Sequence, residues 1–512
     1  MTDYKNYSNK KIIFFLIYIS IFFFTFFLYH KTLSYDISGI DDDTFITMTF
    51  SNISIIDIFT NTFFLNNLSS YFRPILSLSV MLDNLISNSS PYAFHTTNVM
   101  LHIIASMLLF FFLKRYYFDF LISFLAALVF AAHPINIFSV AWIPGRNDLL
   151  LFIFLLSSVI FLLEYLKTQK KYLLLIHYIL FIMSLFTKEI ALIITLVYVC
   201  IIIHKKLSRI KTLKFILLWS LVSLLFLLLH MHISSKEFTI IHYLNNLFAS
   251  YKVFFDYYCG AYFLKIHFSG YVTDSSFYLG ILAFCISLLF AIFCKLTIYE
   301  KILYFTLPII IISVNLLAGQ LFYQASRMYI PLACILIPFC SFLQQIKNKK
   351  IICVIFAVII SISFFLTIKQ SKYFENPLTF LQKVDSEKPN YNTVFANLYS
   401  YHLLKNGNTH KAAEKIKEIA EITGYKNAYN LYLLAVINIY EGNYQQAINI
   451  LEPIINFDKK DILIKLFICY KYVGNADKSA YYYNQAVEFT GNREITDNLI
   501  SRQEEDLKNV KI

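Results

Sequence analysis

Charge is scarce in this chain. Only 15% of its 512 residues are charged, against 58% hydrophobic, well below the share usual in a soluble protein. That excludes an ordinary soluble globular domain for most of the length. The surplus of positive charge, +12, does not mark a nucleic-acid binder. Most Lys and Arg of the apolar part sit in short loops between hydrophobic runs, where they set membrane topology. Cysteine is sparse as well: the eight Cys show no metal-ligand spacing, and most fall inside apolar runs as small core residues. The first apolar run, flanked by Lys5, Lys10 and Lys11, lacks a small-residue cleavage site and reads as a retained signal anchor.

What the chain has in quantity is Phe (52) and Tyr (38), in apolar runs of about membrane-spanning length. Eleven spans are expected, at 12–30, 94–113, 119–137, 149–166, 172–187, 190–204, 214–231, 277–294, 302–317, 328–345 and 351–368. With a cytoplasmic N-terminus, the even-numbered spans end at Lys114-Arg115, Lys167 to Lys171, Lys205 to Lys214, Lys295 to Lys301 and Lys347 to Lys350. All these basic clusters then share the cytoplasmic side. The opposite side receives loop 31–93, the turn 133–148, the Lys188-Glu189 bend, loop 232–276, residues 318–329 and everything after Lys369.

The tail changes character. From Tyr391 it is more polar and helical in period. Gly407-Asn408, Gly442-Asn443 and Gly474-Asn475 recur 35 and 32 residues apart, each Gly followed five positions on by a small residue, Ala412, Ala447 or Ser479. This is the helix-turn-helix spacing of tetratricopeptide repeats, whose usual work is to bind a peptide or partner protein. The expected fold is therefore all-α: a polytopic helical bundle over 1–369, a linker at 370–390 and an α-solenoid of repeats over 391–512.

Ionisable residues gather at the external ends of the spans. Asp41-Asp42-Asp43 follows the first span; alone it reads first as a solvated acidic turn capping a helix that starts near Thr44, and the rest of the chain reverses that order. Arg73-Pro74, His95, Asn98 and His102 come next, then His133-Pro134, Arg146 and Asp148, then Lys188-Glu189, and finally Arg327 with Tyr329. Ionisable groups at membrane depth are costly and usually face a protein-lined cavity. Four cations, Arg73, Arg146, Lys188 and Arg327, beside three Asp would suit an anionic phosphate donor next to a general base. Each residue also has a plainer reading. The arginines can anchor at lipid phosphates, the histidines can pack in helices, His133-Pro134 can end a span, and Lys188-Glu189 can neutralise a helix break.

The order Asp41-Asp42-Asp43-Thr44-Phe45-Ile46, Phe72-Arg73-Pro74, Phe94-His95-x-x-Asn98-x-x-x-His102 and His133-Pro134-Ile135, continuing to Gly145-Arg146-x-Asp148-Leu149-Leu150, is followed by Lys188-Glu189 and Ser326-Arg327-Met328-Tyr329-Ile330-Pro331. It resembles the transmembrane and tetratricopeptide-repeat-containing O-mannosyltransferases and their bacterial relatives, within the GT-C glycosyltransferases. The resemblance implies transfer of a mannose-like sugar from a polyprenyl-phosphate carrier to an extracytoplasmic acceptor, a protein hydroxyl, by an inverting reaction. In its register Asp41 is the catalytic carboxylate, Asp42 its acidic neighbour and Phe45 the following aromatic, with Asp43 leaving a one-residue ambiguity. Arg73, Arg146, Lys188 and Arg327 would hold the donor phosphate, and His95, His102, His133, Asp148, Glu189 and Tyr329 would line the cavity. No obligatory metal or other cofactor is expected, since cations can take its place at a monophosphate leaving group. Related sequences carry Thr-Glu after the His-Pro, where this chain has Ile137-Phe138. The rivals are an inactive membrane scaffold recruiting partners through its repeats and a transporter of lipid-linked saccharides.

Overall fold

The computed structural model describes residues 2–39, 41–42, 54–61, 71–233, 251–317, 325–388, 392–423 and 427–510. Among them the regular structure is helical throughout, without a strand. The chain divides into two compact units, Met1–Asn376 and Pro377–Ile512.

The first unit contains α1 (Thr2–Tyr29), α2 (Ile55–Thr60), α3 (Pro74–Ser87), α4 (Pro91–Tyr116), α5 (Phe120–Ala132), α6 (Ile137–Val140), α7 (Arg146–Thr168) and α8 (Lys171–Leu185). It continues with α9 (Ile194–His204), α10 (Arg209–Ile233), α11 (Tyr251–Phe263), α12 (Asp274–Phe293), α13 (Ile298–Leu317), α14 (Tyr329–Leu343) and α15 (Lys349–Ser371). Local chemistry sets the starts. Pro74 and Pro91 occupy the first turns of α3 and α4, where a missing N–H costs nothing. The Asp119 carboxylate accepts from Ile122 N at the start of α5.

Every apolar run expected to span has a helix. Seven helical stretches are long and apolar enough to cross a membrane, or eight if Phe120–Ala132 and Pro134–Val140, bent by 50° at His133-Pro134, count as one broken span. Lys171–Leu185 and Glu189–His204 are shorter apolar helices. The protein is a multi-pass integral membrane protein. Its packing separates an inner from an outer layer: the stretch Ala325–Leu343 is 83% buried, whereas Arg209–Ile233 buries only 17% and leaves Leu217, Leu221 and Leu228 exposed. Apolar side chains on the outside as well as the inside are what a lipid solvent permits.

The second unit holds α16 (Pro377–Glu387), α17 (Thr393–Lys405), α18 (Thr409–Thr423), α19 (Ala428–Tyr440), α20 (Tyr444–Leu451), α21 (Lys459–Val473), α22 (Ala476–Thr490) and α23 (Arg493–Val510). Three helical hairpins share one turn. Gly407, Gly442 and Gly474 each sit at φ near +80°, a left-handed conformation that ends the preceding helix at little cost for glycine. In each turn the Asn after the Gly donates its N–H back to a carbonyl five residues earlier, at 2.9, 2.7 and 3.0 Å. Ala412, Ala447 and Ser479 are buried where the paired helices approach.

Candidate functional site

Beyond α1 the chain makes one 3-10 turn (His30–Ser34) and then runs extended into the acidic stretch. Its backbone is pinned on two sides. Asp36 N donates to Glu375 O at 3.0 Å, and Asp36 O lies 3.2 Å from His95 Nε2, which therefore carries the proton. Asp42 is buried, and its Oδ2 accepts from both the backbone N–H and the hydroxyl of Ser38. Asp41 differs from its neighbour: it adopts φ +60° and keeps its side chain accessible to water. Enough protein surrounds this recess for burial to push the Asp41 carboxyl above the usual carboxylate range. Asp43 and Phe45 lie outside the described residues.

The first turns of α4 meet the Gly145-Arg146 segment in an inward-facing bracket. Asn98 Nδ2 reaches the carbonyls of Val140, Trp142 and Ile143 at 3.2 to 3.3 Å, while its Oδ1 accepts from Arg146 Nε at 2.8 Å. Arg146 is fully buried, and its remaining donors go to Phe94 O, Ser79 O, Ser79 Oγ and the Asp83 carboxylate, the last at 2.5 Å. The sequence reading places Arg146 on the donor phosphate. The structure turns it inward instead, with its guanidinium taken up by five protein oxygens. Gly145 is required by the same packing, because a Cβ there would stand 2.2 Å from Phe138 O.

Two of the histidines are engaged in the same interior. His102 Nδ1 pairs with the Tyr329 hydroxyl at 2.6 Å, and its Nε2 faces Ala131 O at 3.1 Å. His133 Nδ1 accepts from Ile135 N, starting the 3-10 turn after the helix break, and its Nε2 faces Ala261 O at 3.0 Å. These residues and Tyr329 hold helices together, with no side of the imidazoles left for a substrate.

The other three cations converge. Arg73, at the start of α3, grips Glu189 through Nε and Nη2 at 3.3 and 2.9 Å and lies 4.3 Å above the Tyr71 ring. Lys188 Nζ lies 2.5 Å from Asp148 Oδ1, in the first turn of α7. Arg327 stands buried in the 3-10 turn before α14, and its charge acts on Asp148 and Arg73 alike. Burial, with Arg327 and Arg73 adding to it, pulls the Lys188 ammonium down to about 8 against the pull of Asp148. Burial works against the Glu189 carboxylate, but Arg73 more than offsets it and holds it below its ordinary range. Among the described residues, Arg73, Lys188 and Arg327 are thus gathered beside the carboxylates of Asp148 and Glu189.

Sequence reasoning missed Asp83, the counter-ion of Arg146, because a single acid in an apolar helix carries no spacing signal. It also missed the buried pair Asp256 and His267, 3.6 Å apart. Phe138 packs its ring on Phe268 and Phe374 at 5.2 and 5.1 Å. Among the described residues no group of three His, Cys, Asp or Glu is placed to hold a metal ion.

No family model matches the chain, and no solved structure matches it significantly. Curated relatives do. The mouse protein O-mannosyl-transferase TMTC2 is 35% identical over 98 residues, 19% of this chain and 12% of that protein. Mouse TMTC3 is 37% identical over 101 residues, 19% of this chain and 10% of its own. The protein O-mannosyl-transferase F38B6.6 of Caenorhabditis elegans is 29% identical over 155 residues, 29% of this chain and 22% of its own length. The match therefore spans between about a tenth and a fifth of these relatives. Over that stretch the chain is similar to the TMTC proteins, which are named protein O-mannosyl-transferases.

Proposed function

We propose that the protein is a GT-C-type glycosyltransferase that moves a mannose-like sugar from a polyprenyl-phosphate carrier to a hydroxyl of an extracytoplasmic protein. The observation that carries the reading is the convergence of Arg73, Lys188 and Arg327 beside Asp148 and Glu189 at one end of a membrane bundle. A cluster of cations in a protein-lined recess suits a lipid phosphate monoester, whose carrier chain belongs in the bilayer. The names of the relatives supply the sugar and the acceptor class.

In this mechanism Asp41 takes the proton of the acceptor hydroxyl as its oxygen attacks the anomeric carbon from the face opposite the phosphate. The bond between that carbon and the phosphate oxygen breaks, and the phosphate leaves with the electron pair. Its developing charge is met by the three cations, which were in place before the reaction and need not reorganise. No metal is required in this scheme. Asp42, tied to Ser38, fixes the loop that presents Asp41. Arg146 braces α3 and α4 rather than touching the donor. The hairpins of the second unit are tetratricopeptide repeats that select the acceptor, on the extracytoplasmic side of a bundle of eleven spans whose basic loops face the cytoplasm.

The test is reconstitution. Purified protein in vesicles, given polyprenyl-phosphate mannose labelled in the sugar, is expected to transfer label to an acceptor protein and to leave a nucleotide-linked sugar untouched. Direct use of the nucleotide sugar would overturn the carrier. Binding of acceptor with no transfer from any donor would leave a scaffold.

A further inference from the structure

At the end of the bundle away from the acidic loop lies a cavity of about 180 Å³ whose walls come from α4, α7, α9, α13 and α14. Its lining is apolar over most of its length, with Leu109, Phe152, Leu155, Val159 and Leu303 among the contributors. It follows α9 from Ile194 to His204, which at helical rise is about 15 Å. That is a slot shaped for a chain rather than a compact ligand.

The two ends differ. Towards the charged cluster the cavity is walled by Leu109, Phe152 and Ile194, all buried. At the other end stand exposed Lys205 and Tyr299 and half-exposed His204, whose imidazole meets the Tyr299 ring at 5.8 Å. Lys206 follows directly, and Lys114 closes the neighbouring α4 at the same end. The acid at this mouth, Glu300, is turned onto its own helix start, where it accepts from Thr297 N and Oγ1 at 2.9 and 2.7 Å. The entrance is therefore ringed by positive charge with its acid already engaged.

We propose that this cavity binds one acyl chain of an anionic phospholipid from the adjoining leaflet, with the headgroup phosphate on Lys205 and His204. An acyl chain matches the narrow apolar walls, and a phosphate matches a basic rim at the membrane surface. The sugar carrier is a poorer fit, because its phosphate belongs at the opposite helix ends and its chain would have to pass the buried Phe152 and Ile194.

The experiment is photolabelling of the full chain in vesicles with phosphatidylglycerol bearing a diazirine near the acyl terminus. Crosslinks are expected on peptides covering 194–205 and 299–307. Lys205→Glu, an exposed substitution with no demand on folding, should cut them at least about fivefold, the worth of one surface cation towards anionic lipid. Ala333→Phe, which fills the slot, should remove them and spare labelling elsewhere. Equal labelling by a phosphatidylcholine probe, displacement by polyprenyl phosphate but not by phosphatidylglycerol, or no crosslink in these peptides would each overturn the proposal.

Discussion

Lys188 Nζ stands 2.5 Å from Asp148 Oδ1 and 3.2 Å from Asn147 Oδ1. The two elements it joins lie 40 residues apart in the chain. The ammonium titrates at about 8 rather than 10.5, so its charge is present at neutral pH and lost in mild alkali. Donor binding should weaken as pH rises through about 8. Stability moves the other way. Between the two values the unfolded chain keeps a proton that the folded chain has released, so this group's share of stability rises with pH there. Titrating a donor analogue alongside thermal unfolding on both sides of pH 8 separates the two effects. Lys188→Arg should flatten the binding profile, and an unchanged profile would remove Lys188 from the donor site.

Neighbouring aspartates should respond differently. Asp41→Asn is expected to lower transfer by about a hundred- to ten-thousandfold, the usual worth of a general base, with unfolding and donor binding unchanged. In the parent protein the rate should fall with acid as Asp41 protonates, above the ordinary carboxylate range because burial raises it. Asp42→Asn weakens the acceptor of two Ser38 donors and should cost on the order of 1–3 kcal/mol of stability. If Asp42→Asn stops transfer at unchanged stability while Asp41→Asn is active, the catalytic register is one residue out.

Arg146 should behave as structure. Arg146→Met strands Asp83 in the interior and should destabilise the first unit by about 3–5 kcal/mol, with Arg146→Met/Asp83→Leu recovering part of it. Gly145→Ala should be comparably harmful, since its methyl collides with the Phe138 carbonyl. Donor affinity per folded molecule is expected to stay level in all of them. A selective loss of donor affinity at full stability would return Arg146 to the phosphate.

Ending the chain at Asn376, the boundary between the two units, should preserve donor binding and abolish transfer to the natural acceptor. Loss of donor binding from a truncated protein that unfolds cooperatively would contradict this division. A reporter fused after Gly474 should be active only in an exported form.

Local patterns were legible in the sequence and distant partners were not. The apolar runs and the Gly-Asn turns repeat over tens of residues, and helices stand at each of them. His133-Pro134 was legible as a helix end, but the chain restarts as Pro134–Val140 at 50° rather than leaving the bundle. The cations were visible as residue types, yet nothing local tells Arg73, whose partner lies 116 residues on, from Arg146, whose partner Asp83 precedes it. What sets Arg146 apart is the five protein oxygens packed around it, a property of the folded neighbourhood rather than of any local pattern.

The bracket around Arg146 has a wider consequence for how the membrane unit holds its shape. Its hydrogen bonds end on Phe94, Ser79, Asn98 and Asp83, so the bracket is complete within the protein. Such a bracket sets the spacing of α3, α4 and the Gly145-Arg146 segment by itself, whatever occupies the rest of the unit.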